Sequence, residues 1–293
     1  MTTGSGASRI LHMPSTLMIL GLGLGLGLGV TFEGMHLVAM ASLASLMTFS
    51  LVDVRFRGFK VALRLIPIAL ALSFLLHPSL LLLAALMTPT ALWQGWVMLA
   101  AVPPAISIVP FTTILRGDVK VSVASTAFLY ILSLGLTPVI ALLLLGVEVS
   151  PWALMSAILV LILVPLLLSR GVAALKMRGD SVEVLRNLSF GALTFFVGAA
   201  NRGVILEDPY LALYALGGSA AVTVLSFGAA WAFLLRVEIS KRVSLALFSC
   251  YKNAGLAATI AIALLVPTAV VAPTMMILFQ ILWIALLSRL RRP

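Results

Sequence analysis

Runs of about twenty mostly apolar residues recur from one end of this chain to the other. A helix of that length matches the hydrocarbon thickness of a bilayer, roughly 30 Å. Lipid offers no partner to a backbone N–H or C=O, so only helices and closed barrels can span it. The runs are rich in Leu and Ala and alternate weakly, which argues against a barrel. Charged residues make up 10% of the chain, whereas soluble proteins of this size carry roughly 25%. No hydrophilic stretch is long enough for a soluble module. The expectation is a single all-α polytopic membrane domain over residues 1–293, with no ATPase or kinase attached.

Ten spans are expected, near residues 14–30, 36–52, 61–76, 92–115, 119–145, 152–168, 187–205, 210–235, 243–265 and 273–290. The third reaches a turn at His77-Pro78, with further apolar chain to Met87. The first holds Gly21, Gly23, Gly25, Gly27 and Gly29; glycines two apart do not share a helix face, so it reads as a slim, bendable helix. A basic connector, residues 170–186, is expected on the membrane surface. Charge tests the count. With the N-terminus inside, all of the 19 lysines and arginines except Arg202 and Lys252 fall in inside segments. A miscount by one span would scramble that alternation. Both termini are therefore expected in the cytoplasm, in a multi-pass protein of the cell (plasma or inner) membrane. The net charge of +10 is explained by these short basic loops, so no nucleic-acid partner is implied.

Cys250 is the only cysteine, so no intrachain disulfide can form, and it reads as a packing residue. His12, His36 and His77 are scattered near the expected surfaces and make no metal site. No acidic residue accompanies Lys252 inside the membrane, so no catalytic pair is present and an enzyme is not expected.

Lys252 and Asn253 stand together in the middle of an apolar run. A lysine at the centre of a membrane helix costs roughly 2.5–3.5 kcal/mol on insertion scales. From there it is too short to snorkel to a surface. Ten spans divide into two sets of five, about residues 14–147 and 151–290, and an odd number places the halves in opposite orientations. The fourth member of the first half, span four, is interrupted by Pro103-Pro104, which removes two backbone donors. The fourth member of the second half, span nine, carries Lys252-Asn253 and then Gly255. Interrupted helices at matching positions of inverted repeats point to a midplane binding site.

Three runs, Val102-Pro103-Pro104-Ala105-Ile106-Ser107, Arg116-Gly117-Asp118-Val119-Lys120-Val121-Ser122 and Asn253-Ala254-Gly255-Leu256-Ala257-Ala258, resemble the bile acid:sodium symporter family. The chain is similar to a divergent, prokaryotic-type member, and with ten spans in matching order the resemblance covers nearly all of it. The auxin efflux carrier and arsenite permease families share the architecture. The resemblance implies a panel domain from spans 1, 2, 6 and 7. It implies a core domain from spans 3–5 and 8–10, with spans four and nine crossing at their breaks. Transport would follow from movement of core against panel.

Carried over residue by residue, the resemblance implies two sodium sites that this chain only partly retains. Ser122 and Thr126 match hydroxyl ligands in span five. Ile108 and Val109 stand where the family has serine and asparagine, and Phe248 stands where it has glutamate. The second site's glutamines read here as Ser73 and Lys252, while Asn253 matches the family's asparagine beside the substrate. Sodium wants oxygen ligands; phenylalanine supplies none and an ammonium repels a cation. Lys252 thus reads as a fixed positive charge in place of an ion.

The half-helices starting near Ile106 and Ala254 would turn positive N-terminal ends toward the midplane, favouring an anion. The substrate-binding candidates are Asn253, Lys252, Pro104, Ala105, Ser107 and Gly255; the ion-coupling candidates are Lys252, Ser122, Thr126 and Ser73. Tyr130, Ser133 and Thr137 continue the Ser122–Thr126 face as an expected cavity-lining stripe, and Ser219, Thr223 and Ser226 offer further polar groups. Gln280 either bonds a neighbouring helix or lines the core. The expected function is secondary active transport of a small, carboxylate-like organic anion by alternating access, either proton-coupled through Lys252 or uncoupled. Sodium-coupled symport, and a channel or sensor, are the alternatives. Expected partners are the anion and the bilayer, with no cofactor.

Overall fold

The structure, a computed structural model, describes residues 14–52, 63–145, 150–177 and 179–290. Arg9, Arg55, Arg57, Lys60, Arg178, Arg291 and Arg292, counted in the charge pattern, lie outside the described residues, as does His12. Among the described residues the secondary structure is helical, with no strand. The helices are α1 (Pro14–Leu28), α2 (Met35–Leu51), α3 (Leu63–Met87), α4 (Trp93–Ala101), α5 (Ile108–Ile114) and α6 (Val119–Leu145). The chain continues with α7 (Pro151–Ala174), α8 (Asp180–Glu207), α9 (Pro209–Phe233), α10 (Ile239–Phe248), α11 (Ala254–Leu264) and α12 (Val271–Leu290). Six runs are long and apolar enough to cross a bilayer: α3, α6, α7, α8, α9, and α12 with the turn at Pro267–Val270 that leads into it.

The expected turn at His77-Pro78 is not there. Pro78 cannot donate to the carbonyl four residues back, and its ring would clash with it. The helix absorbs this by widening into a single π-turn at Leu72–Leu76, where the His77 N–H bonds to Leu72 O, and then continues to Met87. His77 is consequently fully buried, not near a surface. The expected surface connector is likewise mostly helix, since α7 runs to Ala174 and α8 starts at Asp180. Arg170, near the end of α7, donates from Nη2 to Leu51 O at the end of α2.

Two groups of helices pack among themselves. α1, α2 and α8 lie together, and α7 joins them against α2. α3, α4, α6, α9, α11 and α12 form the second group, and α11 meets α2 and α8 across the junction. The glycine-rich α1 has two distinct faces. Gly21 and Gly25, one turn apart, lie against the α8 backbone, where an added Cβ would collide with Gly191 O and Phe195 O. Gly23 and Gly27, on the other face, have no such atom within 4 Å. Half of the alternation therefore serves close helix approach, as small residues do in membrane interfaces; the expectation of a merely slim, bendable helix missed that face.

Candidate functional site at the crossed helix breaks

α4 stops at Ala101 because the next two donors in line belong to Pro103 and Pro104, which have no N–H. The chain leaves helical geometry at Val102 and resumes it at Ile108. α10 stops at Phe248 and α11 restarts at Ala254, where Asn253 is the N-cap: its Oδ1 accepts from the Leu256 N–H at 3.0 Å. The two breaks run antiparallel and complete each other. Ala105 N–H donates to Tyr251 O and Asn253 N–H donates to Pro103 O, both at 2.9 Å, around the pair Pro104 and Lys252. Buried backbone that has left its own helix finds partners in the other break.

Lys252 closes the rest of that account. Its Nζ donates to Val102 O at 2.7 Å and to Ala100 O at 3.1 Å, and lies 4.4 Å from the centroid of the Phe74 ring. In an uninterrupted helix Ala100 O would accept from residue 104. That residue is a proline, and the lysine supplies the missing donor. An ammonium at the C-terminal end of α4 also meets the negative end of the helix dipole. Gln280 on α12 lies over the second break, with Nε2 donating to Lys252 O and Cys250 O at 3.4 and 3.5 Å, while Tyr251 OH donates to Gln280 O. Asn253 Nδ2 donates to Tyr130 OH at 2.9 Å. Both ends of the Asn253 side chain thus serve the scaffold, and one Nδ2 hydrogen is left over. Behind Lys252, His77 Nδ1 meets Ser226 Oγ at 2.9 Å, and Ser249 Oγ donates to Ser226 O.

A cavity of about 490 Å³ lies against this crossing. Its floor is the two breaks and its walls are α2, α5, α8 and α12. It reaches the end of the bundle that carries Pro14, Ser50, Arg186 and Ser288. Of the candidates named from sequence, Ala105, Ser107, Lys252, Asn253 and Gly255 border it. Pro104 does not; it is buried in the crossing itself. Ser73, Ser122 and Thr126 also lie outside its lining. Ser122 Oγ is bonded to Thr112 Oγ1 at 2.6 Å, tying α6 to α5, and Ser73 and Thr126 are buried with no hydrogen-bond partner for their hydroxyls among the described residues. The expected stripe of Tyr130, Ser133 and Thr137 is buried too and faces the helix packing instead of the cavity, to which α6 contributes Val123. Gln280 bonds the second break, the first of its two alternative roles, and also borders the cavity. The sequence reading overlooked Phe74 and the α8 wall of Arg186, Phe190, Leu193 and Thr194. Those four residues, at intervals of four, three and one, share a face of α8, but the spacing alone does not say that the face meets a cavity.

A helical membrane protein built around two crossed, discontinuous helices belongs with transporters, in which such breaks face a buried site. The family model described as the Sodium Bile acid symporter family matches residues 38–201, more than half of the chain. The chain belongs to that family. No curated protein matches it.

The family's name implies sodium; at two positions where the resemblance expects oxygen ligands this chain has Phe248 and Lys252, while Ser73 and Thr126 keep buried hydroxyls. Phe248 is buried among apolar neighbours and offers no oxygen. The Ala100 and Val102 carbonyls, which a cation at the end of α4 would use, already accept from the Lys252 ammonium.

Proposed function

We propose that this protein is a secondary active transporter of a small, carboxylate-like organic anion, working by alternating access without bound sodium. The observation that carries the reading is Lys252, whose buried Nζ is bonded to the carbonyl end of α4 at the floor of an open cavity. Family membership supports the transporter class. Ten passes in two inverted sets of five are supported by the helix order, in which α4–α5 and α10–α11 are the broken fourth members. A panel of α1, α2, α7 and α8 moving against a core of the remaining helices is supported by the two packing groups. The positive-inside pattern supports a cytoplasmic position in the cell membrane for both termini and for the mouth of the cavity. In this arrangement Asn253, Gly255, Ala105 and Ser107 meet solute, Pro104 shapes the crossing, and Lys252 holds the charge that sodium holds in relatives. Ser122, Thr126 and Ser73, no longer ion ligands, act as packing and helix-tethering hydroxyls.

The test is uptake of carboxylates into proteoliposomes in sodium or choline buffer, at pH 6 and pH 8. Saturable uptake indifferent to sodium is expected. A response to an imposed pH gradient separates proton coupling from uncoupled transport. A strict requirement for sodium refutes the reading.

A further inference from the structure

The cavity holds two cationic side chains and no acidic one among its lining residues, Lys252 at the floor and Arg186 near the mouth. They are not equivalent. Lys252 is 1% exposed and its ammonium is turned into the α4 carbonyls and the Phe74 ring. Arg186 is half-buried and, among the described residues, makes no hydrogen bond or ion pair. It sits on α8 one turn from Phe190 and about 12 Å along the helix axis from Thr194, on the face that walls the cavity. A basic residue that served only the positive-inside pattern would be expected on a lipid-facing or loop position; this one borders the cavity.

Resting on the organic-anion reading, we propose that Arg186 is the residue that recognises the anionic group, and that Lys252 does not touch it. A guanidinium offers a planar fork of N–H donors matched to a carboxylate or sulfonate. The hydroxyls of Ser50 and Ser288 border the same end of the cavity. Deeper in, Leu43, Met47, Phe190, Leu193, Ile277 and Ile281 form an apolar wall. The solute therefore lies with its charge toward the mouth and its apolar body toward the breaks.

The experiment measures binding to purified protein of carboxylates from butyrate to cholate, each beside its own uncharged amide. Wild-type protein is expected to prefer the carboxylate. Arg186→Gln is expected to lose roughly ten- to hundred-fold in carboxylate affinity with little change for the amide, as suits loss of a charge-assisted pair. Arg186→Lys keeps the charge without the fork and is expected to fall between. Arg236→Gln, outside the cavity, is the control for net charge. Among the described residues Arg186 has no partner to orphan, so the variants are expected to fold, checked by their melting temperatures. A wild type that binds none of the panel, or binds amides as well as carboxylates, overturns the organic-anion reading itself. Wild-type selectivity that survives in Arg186→Gln, or a loss shared equally by acid and amide, overturns only the assignment to Arg186.

Discussion

Replacing Lys252 by methionine separates a structural cation from an ornamental one. The side chain keeps an unbranched apolar stem, one atom shorter, and loses its charge. Two hydrogen bonds from an ammonium go with it, to Ala100 O and Val102 O, each worth about 1.5–3 kcal/mol. The contact with Phe74 adds about 0.5–2 kcal/mol. Against this stands the relief of no longer burying an ammonium, several kcal/mol in most proteins. Removing the donor nevertheless destabilises, because the two carbonyl acceptors stay behind unpaired in a dry site, at about 1–3 kcal/mol each. The expected net loss is about 2–4 kcal/mol, which for a chain of this size lowers the melting temperature by roughly 4–8 °C. Thermal unfolding in detergent, followed by tryptophan fluorescence, measures it. Lys252→Gln, with a shorter reach but an amide donor, should lose about half as much. The same instrument tests sodium. A bound ion at a hundred times its dissociation constant stabilises by about 2.7 kcal/mol, so an occupied site would raise the melting temperature by roughly 5 °C. Wild-type protein should melt at the same temperature in sodium and choline chloride. A Lys252→Met variant as stable as wild type, or a sodium-dependent rise in the wild type, would refute the argument that the lysine has taken the ion's place.

Three further substitutions probe the frame around the site. Gly25→Ala pushes a Cβ into Phe195 O and should cost about 1–3 kcal/mol, whereas Gly23→Ala, with open space around it, should gain up to about 1 kcal/mol of helix propensity; their melting temperatures should move in opposite directions. Tyr130→Phe leaves Asn253 Nδ2 without its acceptor and should cost about 1–3 kcal/mol in the same melting assay. Arg242→Lys loses both the Nε bond to Trp231 O and the stacking of the guanidinium 4.0 Å from the Trp231 ring centroid, and a fall of about 1–2 kcal/mol is expected.

What could be read from the residues was what periodicity and rarity mark. Apolar runs announce helices, and Pro103-Pro104 and Lys252 are conspicuous where they stand, so both interruptions were located before any coordinates. Which way a helix face turns is set by tertiary packing, and there the reading failed. Tyr130, Ser133 and Thr137, expected to line the cavity, share one face of α6 that meets other helices instead. In a membrane protein the lipid side and the protein side are both apolar, so hydrophobicity cannot say which face is inward. His77 was misplaced because a His-Pro pair commonly marks a turn; a single π-turn was enough to carry the helix through it. Arg186 was absorbed into a charge count, which assigns a residue to a side of the membrane but not to a surface or a cavity.

The pairing of a proline with a lysine 148 positions later is a donor-for-donor exchange, which makes it measurable. Pro104 deprives Ala100 O of its helical partner; Lys252 Nζ supplies one. If that exchange is why the lysine is tolerated, the two positions must be coupled. Pro104→Ala returns the N–H that an uninterrupted helix would give to Ala100 O. In that background the loss of Lys252 orphans one carbonyl fewer, so Lys252→Met should cost about 1–2 kcal/mol less than it does in the wild type. The four melting curves of the cycle give the coupling directly. Additivity within about 0.5 kcal/mol would mean that the lysine answers to the dipole and the Phe74 ring alone, and that the proline pair breaks the helix without any claim on the charge that crosses it.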